Sequence, residues 1–275
     1  MSRRLNARLV AGGGLVGLLA AVALLAQVWT PVAPPLRMRL AARFHAPIES
    51  GWLGTDQLGR DILSLVMLGA GNSLLVAVLA VSAGALVGCA VGLLAAERPG
   101  WADGLAMRCM DVLFAFPPVL SAMMLGAALG TGFASAVTAI AVFIVPVFAR
   151  VTRAGARRIL ARDFVAAARS LGVGGAAIAR RHVLPNIAGD LAVQASIQLG
   201  LAIVTEAGLG FLGLGLPPPA PSWGRMLADS QTYLASAPWL AIVPGCAIAL
   251  AVLGFQLLGD GLRDAFDPRQ SGGRR

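Results

Sequence analysis

"RVTRAGARRILARDFVAAARSLGVGGAAIARRHVLPN", Arg150 to Asn186, decides how the rest of this chain is read. It holds eight of the 22 basic residues of a 275-residue protein, and all 22 are arginine. Leu160, Phe164, Ala168 and Leu171 recur at the spacing of one apolar stripe on a helix, with Asp163 in the first turn or so. Leu171-Gly172-Val173-Gly174-Gly175 breaks that helix. A second short helix is predicted over Ala176 to His182, stopping before Pro185, which has no N–H to donate. The stretch reads as helix, glycine turn, helix, proline stop. Its arginines suit an interfacial helix on anionic lipid, above all over Arg150 to Arg162. Lipid binding does not explain the glycine turn or the ending His182-Val183-Leu184-Pro185-Asn186, which suit a protein groove better.

Outward from this stretch the chain turns apolar. It is 57% hydrophobic and only 13% charged, with a mean hydropathy of +0.79. Soluble domains carry roughly 25% charged residues, and a globule of this length cannot hide so much apolar surface. An all-α integral membrane protein is predicted. A spanning helix needs about 20 apolar residues. Leu9 to Val28 follows Arg3, Arg4 and Arg8 and exceeds the roughly 7–15 residues of a signal-peptide core, so it reads as an uncleaved first span. Ser73 to Ala96 is a second. Val112 to Ala149 runs 38 residues without a charge, and Gly130-Thr131-Gly132 divides it into spans three and four. Pro117-Pro118 and Pro146 are expected to kink them. Leu191 to about Leu214, interrupted by Glu206, is the fifth span, and Trp239 to Gly259 the sixth.

Six spans put both termini on one side. With that side cytoplasmic, 17 arginines lie inside and five outside (Arg37, Arg39, Arg43, Arg60 and Arg225). The positive-inside rule fixes this orientation and places the opening stretch in the cytoplasm, between spans four and five.

Composition also excludes chemistry. Without lysine there is no phosphate-binding P-loop and no Schiff base, so any ATP must be bound by another chain. The net charge of +9 is arginine beside spans, which sets topology; no nucleic-acid partner is expected. Cys89, Cys109 and Cys246 have no paired spacing, and His45 and His182 fall on opposite sides of the membrane, so no metal site is expected. An intramembrane enzyme would need a nucleophile–base pair or a metal at depth, and no span contains His or Lys. Asp190 reads as a charge complementing a helix dipole. Asp56, Arg60 and Asp61 read as an exposed network or contact surface. Asp260, Arg263, Asp264, Asp267 and Arg269 read as a solvated face.

The opening stretch resembles the cytoplasmic loop of ABC-importer permeases, which begins Glu-Ala-Ala, has Gly four residues after the last Ala, and ends in Leu-Pro. Aligned on Gly172 and Leu184-Pro185, the triplet falls on Ala166-Ala167-Ala168, with Ala166 in place of the usual Glu. "LGTDQLGRDILS" (Leu53 to Ser64), "LGFLGLGLPPPAPSWGRML" (Leu209 to Leu227) and "LLGDGLRDAFDPR" (Leu257 to Arg269) look like the second permease subunit of dipeptide, oligopeptide and nickel importers. Leu65, Gly71 and Gln256 depart from that pattern, where Arg, Arg and Asn are usual.

The resemblance implies a type I ABC-importer permease fold in a bacterial inner membrane. Residues 1–68 would be an extra helix and a periplasmic segment, 69–264 a five-helix core, and 265–275 a tail. Asp163, Phe164, Ala166, Ala167, Ala168, Gly172, His182, Leu184, Pro185 and Asn186 would couple the core to a partner ATPase. Gly54, Thr55, Asp56, Gly59, Arg60 and Asp61 would form the periplasmic motif, with Glu206, Phe211 and Trp223 near the outer mouth of the path. Implied partners are a second homologous permease in a heterodimer, two cytoplasmic ATPases using ATP–Mg, and a periplasmic or lipid-anchored solute-binding protein. No cofactor is expected on this chain, and an importer for another small solute is the alternative reading.

Overall fold

The computed structural model describes residues 7–266, and among them the regular structure is helical, with one isolated bridge between Thr55 and Asp61 and loops between the helices. The tail from 267, with Asp267 and Arg269, lies outside the described residues, as do Arg3 and Arg4. Helix α1 spans Ala7–Leu25, α2 Ile62–Glu97, α3 Trp101–Ala115, α4 Pro118–Leu129 and α5 Phe133–Leu160. Then come α6 (Asp163–Ser170), α7 (Gly175–Ile178), α8 (Leu184–Phe211), α9 (Trp223–Ser230) and α10 (Trp239–Phe266).

The tightest packing pairs α2 with α5. Gly84, Gly88 and Gly92, one every four residues, form a groove along α2 into which α5 presses. A Cβ at these positions would lie 2.8 Å from the carbonyl oxygen of Ala141, 2.5 Å from that of Val145 and 2.5 Å from that of Ala149, respectively. Without water to drive helices together, close approach at small residues holds a membrane bundle. The register rises together on both helices, so α2 and α5 run parallel. The chain between them must therefore recross the membrane.

It does so through a broken span. Helices α3 and α4 meet at 91° around Phe116-Pro117-Pro118, a sharper break than the kink expected there. Pro146, in contrast, is buried within an unbroken α5. Gly130 and Gly132, both at positive φ, separate α4 from α5 as the sequence predicts. Helix α2 begins at Ile62, eleven residues before the predicted span, because Asp61 caps it by accepting from Ser64 N at 2.8 Å.

Helix α1 lies antiparallel on α10, with Gly12 against the backbone of Leu258 and Gly261 against Leu9. Gly12 is the one buried residue of α1. Arg8 reaches Asp264 at 3.7 Å, so part of the face expected to be solvated holds α1 in place. Val76, Ala80, Ile140, Ile144, Phe148 and Ile203 lie in the central core among α2, α5 and α8.

Candidate functional site

The stretch from Arg150 to Asn186 forms a knob at one end of the bundle. Helix α5 stops at Leu160 and α6 restarts at Asp163, so the apolar count from Leu160 does not run through one helix. The predicted stripe is corrected accordingly: Phe164 and Leu171 are exposed, while Val165 is the buried residue of α6. Val165, Ile178, Val183 and Ile187 pack with Ala96, Ala156 and Ile159 into a small core of their own. Burying each of the large aliphatic side chains contributes about 1.5–3 kcal/mol, which ties the knob to α2, α5 and α8.

Helix α6 ends in a Schellman motif. Gly172 has φ +80°, Gly172 N donates to Arg169 O at 2.9 Å and Val173 N donates to Ala168 O at 3.1 Å. Only glycine enters this conformation without strain. Asp163, Phe164, Ala166, Ala167, Gly172, Pro185 and Asn186 are exposed, with Ala168, His182 and Leu184 half-buried. The Phe164 ring lies 5.8 Å from that of His182.

The expected stop before Pro185 does not occur. The helix passes through it by widening into a π-turn over Ala179–Val183, in which Leu184 N donates to Ala179 O. Pro185 falls in the first turn of α8, where its missing N–H costs little. Asn186 Nδ2 donates to His182 O at 2.6 Å and supplies a donor at the same turn.

Four of the eight arginines form ion pairs within the bundle, a role beyond the lipid contact expected of them. Arg153 grips both carboxylate oxygens of Asp103 on α3, with Nη2 at 2.7 Å from Oδ2, and Arg157 joins the same carboxylate at 2.5 Å. Arg150 pairs with Asp111 at 2.6 Å and stacks over Phe114. Arg158 pairs with Asp190 at 2.9 Å, so Asp190 serves a neighbour beyond the dipole of its own helix. Sequence reasoning did not single out Asp103. Its partners lie some fifty residues along the chain, a separation at which no periodicity connects them.

At the opposite end, residues 30–61 fold over the start of α2. Asp56 and Asp61 are buried and Arg60 is largely covered, not exposed as the sequence suggested, and Thr55 is buried beside them. Asp56 accepts from Leu58 N at 2.9 Å, Arg60 N at 2.8 Å and Arg60 Nε at 2.7 Å. Thr55 Oγ1 accepts from His45 N at 3.0 Å and donates to Ala42 O. Gly54 and Gly59, at φ +79° and +71°, press on the backbone of His45 and Arg39.

Trp223 is fully buried at the start of α9. Its indole N–H donates to Val66 O at 3.1 Å. Beneath it sits Glu206, with no exposed surface. The Ser73 and Ser222 hydroxyls lie beside its carboxylate, but neither carboxylate oxygen has a hydrogen bond of good geometry. Glu206 and Trp223 are thus enclosed between α2, α8 and α9, and Phe211 is half-exposed at the end of α8. No group of three metal-ligating side chains is present among the described residues.

Five helices among the described residues are long and apolar enough to cross a membrane, or six if the bent α3–α4 pair is one span, so the chain is a multi-pass, all-α membrane protein by class. Residues 88–272 match the family described as the binding-protein-dependent transport system inner membrane component. The chain belongs to that family of ABC-importer permeases, multi-pass proteins of the inner membrane.

It is 42% identical to a glutathione transport system permease protein of Pectobacterium atrosepticum, over 94% of this chain and 86% of that one. It is also 42% identical to a dipeptide transport system permease protein of Alkalihalophilus pseudofirmus, over 82% of this chain and 75% of that one. Among solved structures it is similar to the inward-facing methionine ABC transporter MetNI (TM-score 0.62, 19% identity, 74% of this chain and 97% of that one). An amino acid ABC transporter solved with histidines gives a TM-score of 0.54 at 22% identity, covering 73% and 94%. Both show the shared fold.

Proposed function

We propose that this chain is one of two membrane subunits of an importer for short peptides, and that a separate ATPase works on it through the α6–α7 knob. The observation that carries the solute class is the 42% identity to permeases of both a glutathione and a dipeptide system. Glutathione and dipeptides share peptide bonds and free termini. Nickel, the other solute of the resembling group, has no donor cluster to receive it among the described residues.

The knob supports the coupling role. Phe164 and Leu171 stand 48% and 85% exposed on a segment anchored from below by Val165 and Ile178. An apolar tip on a rigid base suits a groove in a partner protein. Arg162, Arg169, Arg180 and Arg181 surround it without ion-pair partners among the described residues, leaving cations to meet carboxylates there. ATP–Mg belongs to that partner, and this chain binds no cofactor. A second homologous permease, a second ATPase and a solute-binding protein complete the assembly, whose states exchange by ligands with different affinities for each.

The test is uptake of a labelled dipeptide by cells expressing the whole system, with cysteine cross-linking from position 171 to the ATPase. Dipeptide uptake that requires ATP, together with an ATPase adduct, is expected. Absence of the adduct refutes the coupling role, and absence of uptake refutes the solute class.

A further inference from the structure

Halfway along α8, a helix long and apolar enough to cross the membrane, Gln198 is 6% exposed. Its amide makes no hydrogen bond with any described residue. It lines a cavity of about 200 Å³ between α3, α5 and α8, walled by Phe114, Phe116, Phe143 and Ile144, with Thr205 about two turns further along α8. An unpaired amide within a span is costly, and such groups face an interior or a pathway.

A second, independent feature meets it there. The break of the third span borders the same cavity through Leu113, Phe114 and Phe116. The carbonyls of Leu113 and Phe114 would take their helical partners from residues 117 and 118, and both are proline. Two backbone acceptors thus lack helical donors beside a side chain that offers two donors and one acceptor. Broken helices at mid-membrane are tolerated where they are buried in protein or line a water-filled cavity, and they build the solute sites of many transporters.

We propose that this cavity is a solute site in which Gln198 and the freed carbonyls of the helix break hold the backbone of a peptide. A peptide carbonyl accepts from Gln198 Nε2, and a peptide N–H donates to Gln198 Oε1 or to a freed carbonyl. The phenylalanine walls take the adjoining side chain by contact alone, so recognition follows the peptide bond and tolerates varied sequences. The volume equals roughly six or seven waters at ~30 Å³ each, room for one peptide unit and a side chain. This assignment rests on the reading of the chain as a peptide importer.

The experiment uses the whole transporter in proteoliposomes with its binding protein. Wild-type uptake of labelled Gly-Gly and Leu-Leu is measured first. Gln198→Leu should lower uptake of both by about tenfold, the loss of one or two hydrogen bonds. It should leave the binding protein's affinity and its stimulation of ATP hydrolysis unchanged. Wild-type uptake with an unchanged Gln198→Leu rate overturns the site and leaves the importer reading standing. Failure of the wild type to take up either dipeptide overturns that reading, and the site with it.

A second variant guards against misfolding. Leu201→Cys, on the half-exposed rim of the cavity, is made with Cys89, Cys109 and Cys246 replaced by Ala. A charged thiol reagent should label it, and dipeptide-loaded binding protein with ATP should slow the labelling. Resistance to the reagent, as expected of a face sealed by lipid or by the partner permease, overturns the proposal. So does labelling that the dipeptide does not slow.

Discussion

Gly88→Ala is the sharpest test of how this bundle is held. The added Cβ would stand 2.5 Å from Val145 O, 2.7 Å from Phe148 Cβ and 3.1 Å from Ala149 N. Ordinary heavy-atom contact lies at about 3.5–4.0 Å, so α5 must retreat by about 1 Å. A gap of 0.5–1 Å already forfeits a quarter to a half of the dispersion attraction along the contact, and overpacking of this kind costs about 1–3 kcal/mol. Alanine also favours the helix itself by roughly 0.5–1 kcal/mol over glycine, which blurs the variant taken alone. Gly13→Ala removes the ambiguity, because it gains the same helix term at a position with nothing within 4 Å. The difference between the two variants is therefore the packing cost, about 1–3 kcal/mol, or roughly 5- to 150-fold in the folding equilibrium. Denaturation of the purified, detergent-solubilised transporter, followed by loss of the monodisperse species, measures it. Equal midpoints for Gly88→Ala and Gly13→Ala would show that the groove on α2 does not hold α5.

Two further outcomes follow from the knob and its braces. Gly172→Pro demands a φ near −65° where the chain has +80° and removes the N–H that caps Arg169 O. It should uncouple ATP hydrolysis from uptake while insertion stays normal, and a combined Leu184 and Pro185 replacement should do the same; unchanged uptake in correctly inserted protein counts against this. Asp103→Ala and Arg153→Ala should each cut uptake several-fold, and the double variant should be no worse than Asp103→Ala alone, since both remove one interaction. Strictly additive losses in the uptake assay would mean that the pair does not act as a unit. Removing the exposed Arg158–Asp190 pair should matter less, as exposed ion pairs generally do.

Much of the fold could be read from residues because the bilayer imposes a coarse code. Uncharged runs mark the spans, arginines mark their inner ends, and Gly130-Thr131-Gly132 and Gly172 mark turns whose positive φ only glycine enters freely. What escaped the reading depends on the third dimension or on local backbone adjustment. Pro185 suggested a stop, yet a π-turn absorbs it, an accommodation with no signature in residue type. The stripe through Leu160 failed because periodicity counts residues and cannot see the two-residue interruption at Ala161-Arg162. The spacing Gly84-x3-Gly88-x3-Gly92 was available as a packing signal, and Gln198 as one of two glutamines, with Gln194, in its span, but neither says which helix it faces.

The pairings that remained hidden also fix the knob to the bundle. Val165 and Ile178 bind it to α2, α5 and α8, and Arg150, Arg153 and Arg157 bind the α5 segment that feeds it to α3. A displacement of the knob therefore has little slack in which to be lost at the cytoplasmic end. In the proposed coupling role it would pass along α3, braced by three arginines, to Phe116-Pro117-Pro118, where two helical hydrogen bonds are missing by covalent necessity. That break is the compliant point of the third span, and it borders the cavity that Gln198 lines. Under the coupling role proposed above, the braced arginines and the broken span would act as one lever, stiff where it is gripped and hinged beside the cavity.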